Sequence, residues 1–210
     1  MTATQLTGFR IRWALLTMLG LTVGLAAGLL LGAPIEAVVG MMLVTPAVTF
    51  LVGAALGASQ WLALRRRVAK ASWWIAASAA GLGLGLAGGV VLVEQGGRLL
   101  AGRPLNAAML DPLARAASLW VIGTVAGLAL GAAQALVLRR GREAARSWMW
   151  TSTLGFGSAL ALASLTSDLA LGGLTTPLGF AGFALASGLL AGLFTAGPLA
   201  RPEPSRPGLA

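Results

Sequence analysis

The chain states one pattern three times. Trp13, Trp74 and Trp148 are each followed seven residues later by a glycine, Gly20, Gly81 and Gly155, and each pair opens a long apolar run. A second phrase closes the run that comes next. GAALGASQWLALRRR, from Gly53 to Arg67, aligns without a gap on GLALGAAQALVLRRG, from Gly127 to Gly141. The alignment matches Gly53 with Gly127, Gly57 with Gly131, Gln60 with Gln134, and Arg65-Arg66 with Arg139-Arg140. A more divergent third copy, GLLAGLFTAGPLAR, begins at Gly188 and puts Gly192, Thr195, Leu199 and Arg201 in the matching places. Self-similarity at this period marks a single supersecondary unit stacked on its own copies. The units run from about 9 to 67, 72 to 141 and 146 to 201. A proline-rich tail, 202–210, is expected to be disordered.

Each unit is too apolar to live in water. The chain is 57% hydrophobic and only 10% charged, a balance that belongs to an all-α integral membrane protein. Thirty glycines would weaken isolated helices in water, where each costs about 1 kcal/mol relative to alanine. In lipid, small residues four apart instead let helix backbones approach closely. The steps Gly20, Gly24, Gly28 and Gly81, Gly85, Gly89 therefore read as contact stripes of the GxxxG type.

A spanning helix needs about twenty mostly apolar residues. Six runs qualify, near Trp13 to Leu31, Ile35 to Leu64, Trp73 to Val93, Ala117 to Leu138, Trp148 to Leu165 and Leu178 to Leu199. They pair into three tandem helical hairpins of one orientation. The expected packing is a bundle of six transmembrane helices with pseudo-threefold symmetry, the alternative being a linear row of hairpins. Thr45-Pro46 predicts a kink in the second run. Leu105 to Ala116 predicts a short helix on the membrane surface. Arg10 and Arg12, Arg65 to Arg67 with Lys70, Arg139 to Arg146, and Arg201 with Arg206 fall on one side, leaving Arg98, Arg103 and Arg115 on the other. The positive-inside rule then puts both termini in the cytoplasm. Glu36, Glu94, Asp111 and Asp168 fall on the outer side; Glu36, Glu94 and Asp168 read as solvated cap or loop residues, the alternative being convergence at an outer mouth.

Reactive side chains are scarce. Histidine, cysteine and tyrosine are absent, which removes thiol chemistry, the commonest metal ligand and the commonest general base. No enzyme, metal site or catalytic residue is expected. A charge of +9 comes from short clusters between apolar runs, so it reads as topology and not as a nucleic-acid surface. No apolar run carries an acidic or basic residue at mid-membrane depth, which disfavours an ion-coupled transporter.

The polar residues that recur are Gln60, Gln134 and, in the third copy, Thr195. One reading makes them helix contacts, each amide bonding a neighbouring helix or loop backbone. Another makes them a polar ring facing a central cavity. A third lets an amide oxygen ligate the magnesium of a pigment. Arg65, Arg66, Arg67, Arg139 and Arg140 are placed to meet anionic lipid phosphates. The seven tryptophans, Trp13, Trp61, Trp73, Trp74, Trp120, Trp148 and Trp150, lie near expected helix ends and read as an interfacial aromatic belt.

The phrase GASQWLALRRR, with a tryptophan about ten residues beyond its Gln-Trp pair, resembles a group of uncharacterised bacterial multi-pass membrane proteins built on GxxxGxxQWxxLR repeats. The second copy departs from that pattern at Ala135 and the third at Thr195. The group has no assigned activity, so the resemblance implies a bacterial inner membrane setting and nothing about chemistry. Three hairpins in one orientation also invite comparison with mitochondrial carriers, whose PxDxxK signatures are missing here. The expected function is that of a non-catalytic accessory, assembly or scaffolding subunit, with the lipid bilayer and a membrane protein partner or self-association as its contacts. A transporter or channel for a small uncharged or lipidic solute is the second reading, and a pigment-complex subunit the third. No cofactor is expected, pigment or lipid being the remaining candidates.

Overall fold

A computed structural model describes residues 3–39, 41–65, 71–102, 110–138, 142–171, 173–174 and 176–200. Those residues form six helices and no strand: α1 (Ala3–Val39), α2 (Met41–Leu64), α3 (Trp73–Ala101), α4 (Pro112–Leu138), α5 (Arg142–Ala170) and α6 (Pro177–Ala200). Five of them, all but α5, carry a segment long and apolar enough to cross a membrane. α5 has the length of the others, but Ser147, Thr151, Ser152, Thr153, Ser158, Ser164, Thr166 and Ser167 dilute its apolar residues. The fifth expected run is thus the one whose composition falls short.

Several boundaries move from their expected places. α1 continues through Pro34 to Val39, taking residues assigned to the second run. α2 passes through Pro46 without ending, and the Thr49 hydroxyl bonds the Pro46 carbonyl at 2.9 Å. α3 runs on past Val93 until Gly102, whose φ of 67° turns the chain and lets its N–H reach the Arg98 carbonyl. α4 starts at Pro112, the first helical position that proline favours, with Asp111 Oδ1 accepting from the N–H groups of Leu113 and Ala114 at 3.0 Å. Residues 112–116 of the expected surface helix are therefore the first turn of α4, while 103–109 lie outside the described residues. The expected tail, 202–210, lies outside them as well.

Each helix packs on the one before it and the one after it, and α6 packs on α1. No backbone contact runs across the middle, so the six helices make a closed ring among the described residues. A linear row would leave α1 and α6 apart. Neighbours run antiparallel, because contacts that climb one helix descend the next: Gly81 faces Leu130, Gly85 faces Ala126 and Gly89 faces Ile122.

Glycines are what bring the backbones together. A Cβ built on Gly85 would sit 2.6 Å from the Ala126 Cα, and one on Gly192 would sit 2.6 Å from the Ala14 Cα. Similar lines join α1 to α2 at Gly20 and Gly24, α2 to α3 at Gly53 and Gly57, and α4 to α5 at Gly123 and Gly131. Close approach is the chief source of association energy here, since lipid tails compete with apolar side chains on equal terms. Leucines at mid-ring, among them Leu56, Leu82 and Leu130, fill the interior, while others such as Leu84, Leu128 and Leu136 point outward.

Gly85→Ala should push α3 off α4 and lower stability by about 1–3 kcal/mol, the usual cost of overpacking. Gly32→Ala, where a Cβ meets nothing within 4 Å, should stay within about 0.5 kcal/mol of the parent. Thermal unfolding in detergent, followed by intrinsic fluorescence, measures both.

Candidate functional site

Inside one end of the ring, the three repeated tryptophans meet. Trp13 of α1 lies with its ring centroid 6.1 Å from that of Trp74 of α3 and 6.1 Å from that of Trp148 of α5, edge-on to both at 77°. Trp74 and Trp148 are 5.9 Å apart and tilted by 58°. All three are at most 1% exposed. This corrects the aromatic-belt reading for these residues. Trp73, Trp120 and Trp150 do face outward, as a belt requires. The belt argument takes indoles one at a time, whereas these three converge on one another inside the ring. Edge-to-face pairs of this kind contribute about 0.5–1.5 kcal/mol each beyond the area they bury.

One turn along the same helices come three hydroxyls, Thr17, Ser78 and Ser152, each buried. Between them, from the even-numbered helices, come Gln60, Gln134 and Thr195, at 2%, 1% and 2% exposure. The structure therefore brings together all three recurring polar residues in one layer beside the tryptophan cluster.

The layer has a rule. A polar residue on an even helix is placed to bond the hydroxyl of the helix before it and the indole of the helix after it. Gln60 of α2 makes both links: its Nε2 donates to Thr17 Oγ1 at 3.0 Å, and its Oε1 accepts from Trp74 Nε1 at 3.0 Å. An indole N–H can only donate, so this contact fixes which end of the Gln60 amide is the oxygen. Gln134 of α4 donates through Nε2 to Ser78 Oγ at 2.8 Å and to Gln60 Oε1 at 3.3 Å. Thr195 of α6 accepts from Trp13 Nε1 at 3.0 Å and donates to the Ala191 carbonyl of its own helix at 2.8 Å.

Two links are missing, and both would end on α5. Trp148 Nε1 and Ser152 Oγ are buried without a hydrogen-bond partner. Thr195 is shorter than glutamine and spends its proton on its own helix, so it does not reach Ser152 as Gln60 reaches Thr17.

Near the other end of the ring, α4 and α5 share an ion pair. Arg115 Nη1 lies 2.9 Å from Asp168 Oδ1, with the side chains 13% and 6% exposed, and Arg115 Nη2 donates to the Leu110 carbonyl at 2.9 Å. Asp168 is thus not the solvated residue expected from its place near a loop. The turn after α5 folds back over it: Gly173, at φ 87°, donates to the Ser167 carbonyl and brings its backbone against the carboxylate.

Of the arginines expected at lipid phosphates, Arg65 is exposed, with its guanidinium carbon 5.6 Å from the Trp61 ring centroid. Arg66, Arg67, Arg139 and Arg140 lie outside the described residues. Among the described residues no group of three or more histidine, cysteine, aspartate or glutamate side chains is placed to hold a metal ion.

The hydroxyls at Thr17, Ser78 and Ser152 went unnoticed as site residues, although each stands four residues after a repeated tryptophan. That spacing puts both side chains on one helix face and was available as a signal. Nothing in the sequence pairs Arg115 with Asp168, whose meeting depends on how α4 and α5 stack.

All the described helices together have the architecture of a multi-pass membrane protein. No protein-family model, no curated protein and no solved structure matches the chain.

Leaving a buried polar group without its partner costs about 1–3 kcal/mol. Gln60→Leu strands Trp74 Nε1 and also removes bonds to α1 and α4, so it should lower the thermal midpoint more than Thr195→Val, which strands Trp13 Nε1 alone. Equal midpoints for the two variants would contradict the bonding order given above. Asp168→Asn leaves the Arg115 charge buried and uncompensated, at a cost of about 3–5 kcal/mol. Unfolding in the same detergent, compared with Arg115→Met/Asp168→Leu, separates the stranded charge from the loss of the pair.

Proposed function

We propose that this protein is a non-catalytic integral membrane protein that works through packing, as an accessory, assembly or scaffolding subunit of a bacterial membrane complex. Its three repeats act as tandem hairpins around a pseudo-threefold axis, with six crossing helices in the cytoplasmic membrane and both termini on the cytoplasmic side. The observation that carries this reading is the fate of the recurring polar residues. Gln60, Gln134 and Thr195 are spent on bonds to Thr17, Ser78, Trp74 and Trp13, so they serve as cement between helices.

A ring of free polar groups around an axial path would favour a transporter or channel instead. Here the tryptophans pack together at one end of the ring, and the Thr49 hydroxyl bonds the Pro46 carbonyl and approaches that of Gly83 in α3. The pigment reading is weakened in the same way. Gln60 Oε1 already accepts from Trp74 and Gln134, which leaves it poorly placed to ligate magnesium. The outward-facing leucines and tryptophans suit lipid or a partner's helices alike.

Native mass spectrometry with an absorption spectrum, on protein extracted from its own membrane in mild detergent, tests the proposal. The expected result is a stoichiometric complex with another membrane protein or with copies of this chain. A lone chain carrying only lipid would defeat the subunit reading for stable complexes and turn attention to solute uptake. Co-purifying colour would put the pigment reading first.

A further inference from the structure

Among the described residues, seven buried side-chain atoms lack a hydrogen-bond partner, and four belong to α5: Trp148 Nε1, Ser152 Oγ, Ser164 Oγ and Asp168 Oδ2. Trp148, Ser152 and Ser164 are each at most 1% exposed, and the four-residue step from Trp148 to Ser152 puts those two on one face of the helix. α5 is also the one helix too polar to qualify as a membrane span. Two features therefore single it out: its composition, and its stranded polar atoms, two of which are the missing links of the polar layer.

Sister positions show what these groups bond when they are satisfied. Trp74 and Trp13 donate to Gln60 and Thr195, and Thr17 and Ser78 accept from Gln60 and Gln134. Where the link is complete, at Gln60, an uncharged polar group lies between hydroxyl and indole. On α5 the indole and the hydroxyl are both in place, but Gln134 bonds Ser78 and Gln60 and not Trp148, and Thr195 bonds the Ala191 carbonyl and not Ser152.

We infer that the inner face of α5 binds buried water, with a molecule held by Trp148 Nε1 and Ser152 Oγ in the polar layer. The chemistry selects water. An indole N–H needs an acceptor, and a serine hydroxyl takes a donor or an acceptor, so the occupant must accept and can also donate. Among the described residues no charged side chain belongs to the layer, so an ion would find no counter-charge among them. A lipid tail would leave every one of these atoms unpaired. Buried water in proteins typically makes about three hydrogen bonds to polar groups of this kind. The inference stands whether the protein is a subunit or a transporter, since it concerns only what completes the interior.

The test compares three indoles at one depth. Protein labelled with [15N]tryptophan in detergent micelles gives an indole N–H resonance for each tryptophan, assigned with Trp148→Phe or, if that variant does not fold, with Trp13→Phe and Trp74→Phe. The expected result is a magnetisation-transfer cross-peak from long-lived water to the Trp148 indole proton, with none to Trp13 or Trp74, whose donors are occupied. Absence of a water cross-peak at Trp148 overturns the inference. So do cross-peaks of equal strength at all three, which would mean that the whole layer is open to solvent. Ser152→Ala provides a second readout by removing one anchor, and the Trp148 cross-peak should weaken severalfold. An unchanged cross-peak would count against a water shared within the layer.

Discussion

The ring depends on backbone meeting backbone at its glycines. With small residues at Gly20, Gly57, Gly85, Gly131 and Gly192, each helix lies against its neighbours closely enough that six can close a circle. A larger side chain at any of these places would push a pair apart and widen the centre. The contents of the centre go with that packing: three indoles and six polar side chains at one end, leucines and a phenylalanine in the middle. Glycine is costly to a helix in water, but here that cost is offset by dispersion and by weak contacts between close backbones.

The polar layer solves a problem that the tryptophans create. An indole is the bulkiest apolar filler available, but its N–H must find an acceptor when buried. Glutamine answers this by presenting an acceptor to one helix and a donor to another, so a single residue on α2 satisfies Trp74 and Thr17 together. Such a residue does more than stabilise. It fixes the rotation of three helices about their own axes, because a turn of any one of them breaks two bonds at once. Buried polar networks earn their keep through this kind of specificity when every member is satisfied.

Most of the architecture was legible in the sequence because period and composition are local signals. Hydrophobic run length gave the helices, and the alignment of Gln60 with Gln134 and Thr195 marked residues that do share a layer. The helix ends were less legible. Pro34 looked like a boundary but falls inside α1, since one proline removes a single backbone bond and the rest of the ladder carries on. The tryptophans were misread because a belt at the interface and a cluster on an axis require the same position along a helix and differ only in which way the side chain faces. The Arg115–Asp168 pair was not legible at all, for it depends on the vertical register of α4 against α5.

The closure between α6 and α1 has a consequence for how the chain is made. The bond from Trp13 to Thr195 spans 182 positions, nearly the whole chain, and Gly188 and Gly192 bring the last helix against Met18 and Ala14 of the first. During synthesis the first helix must therefore wait in the bilayer with its indole unsatisfied while five others enter. Until the sixth arrives the assembly is an open arc with two raw edges. The arrival of Thr195 supplies the acceptor that the Trp13 indole has lacked until then.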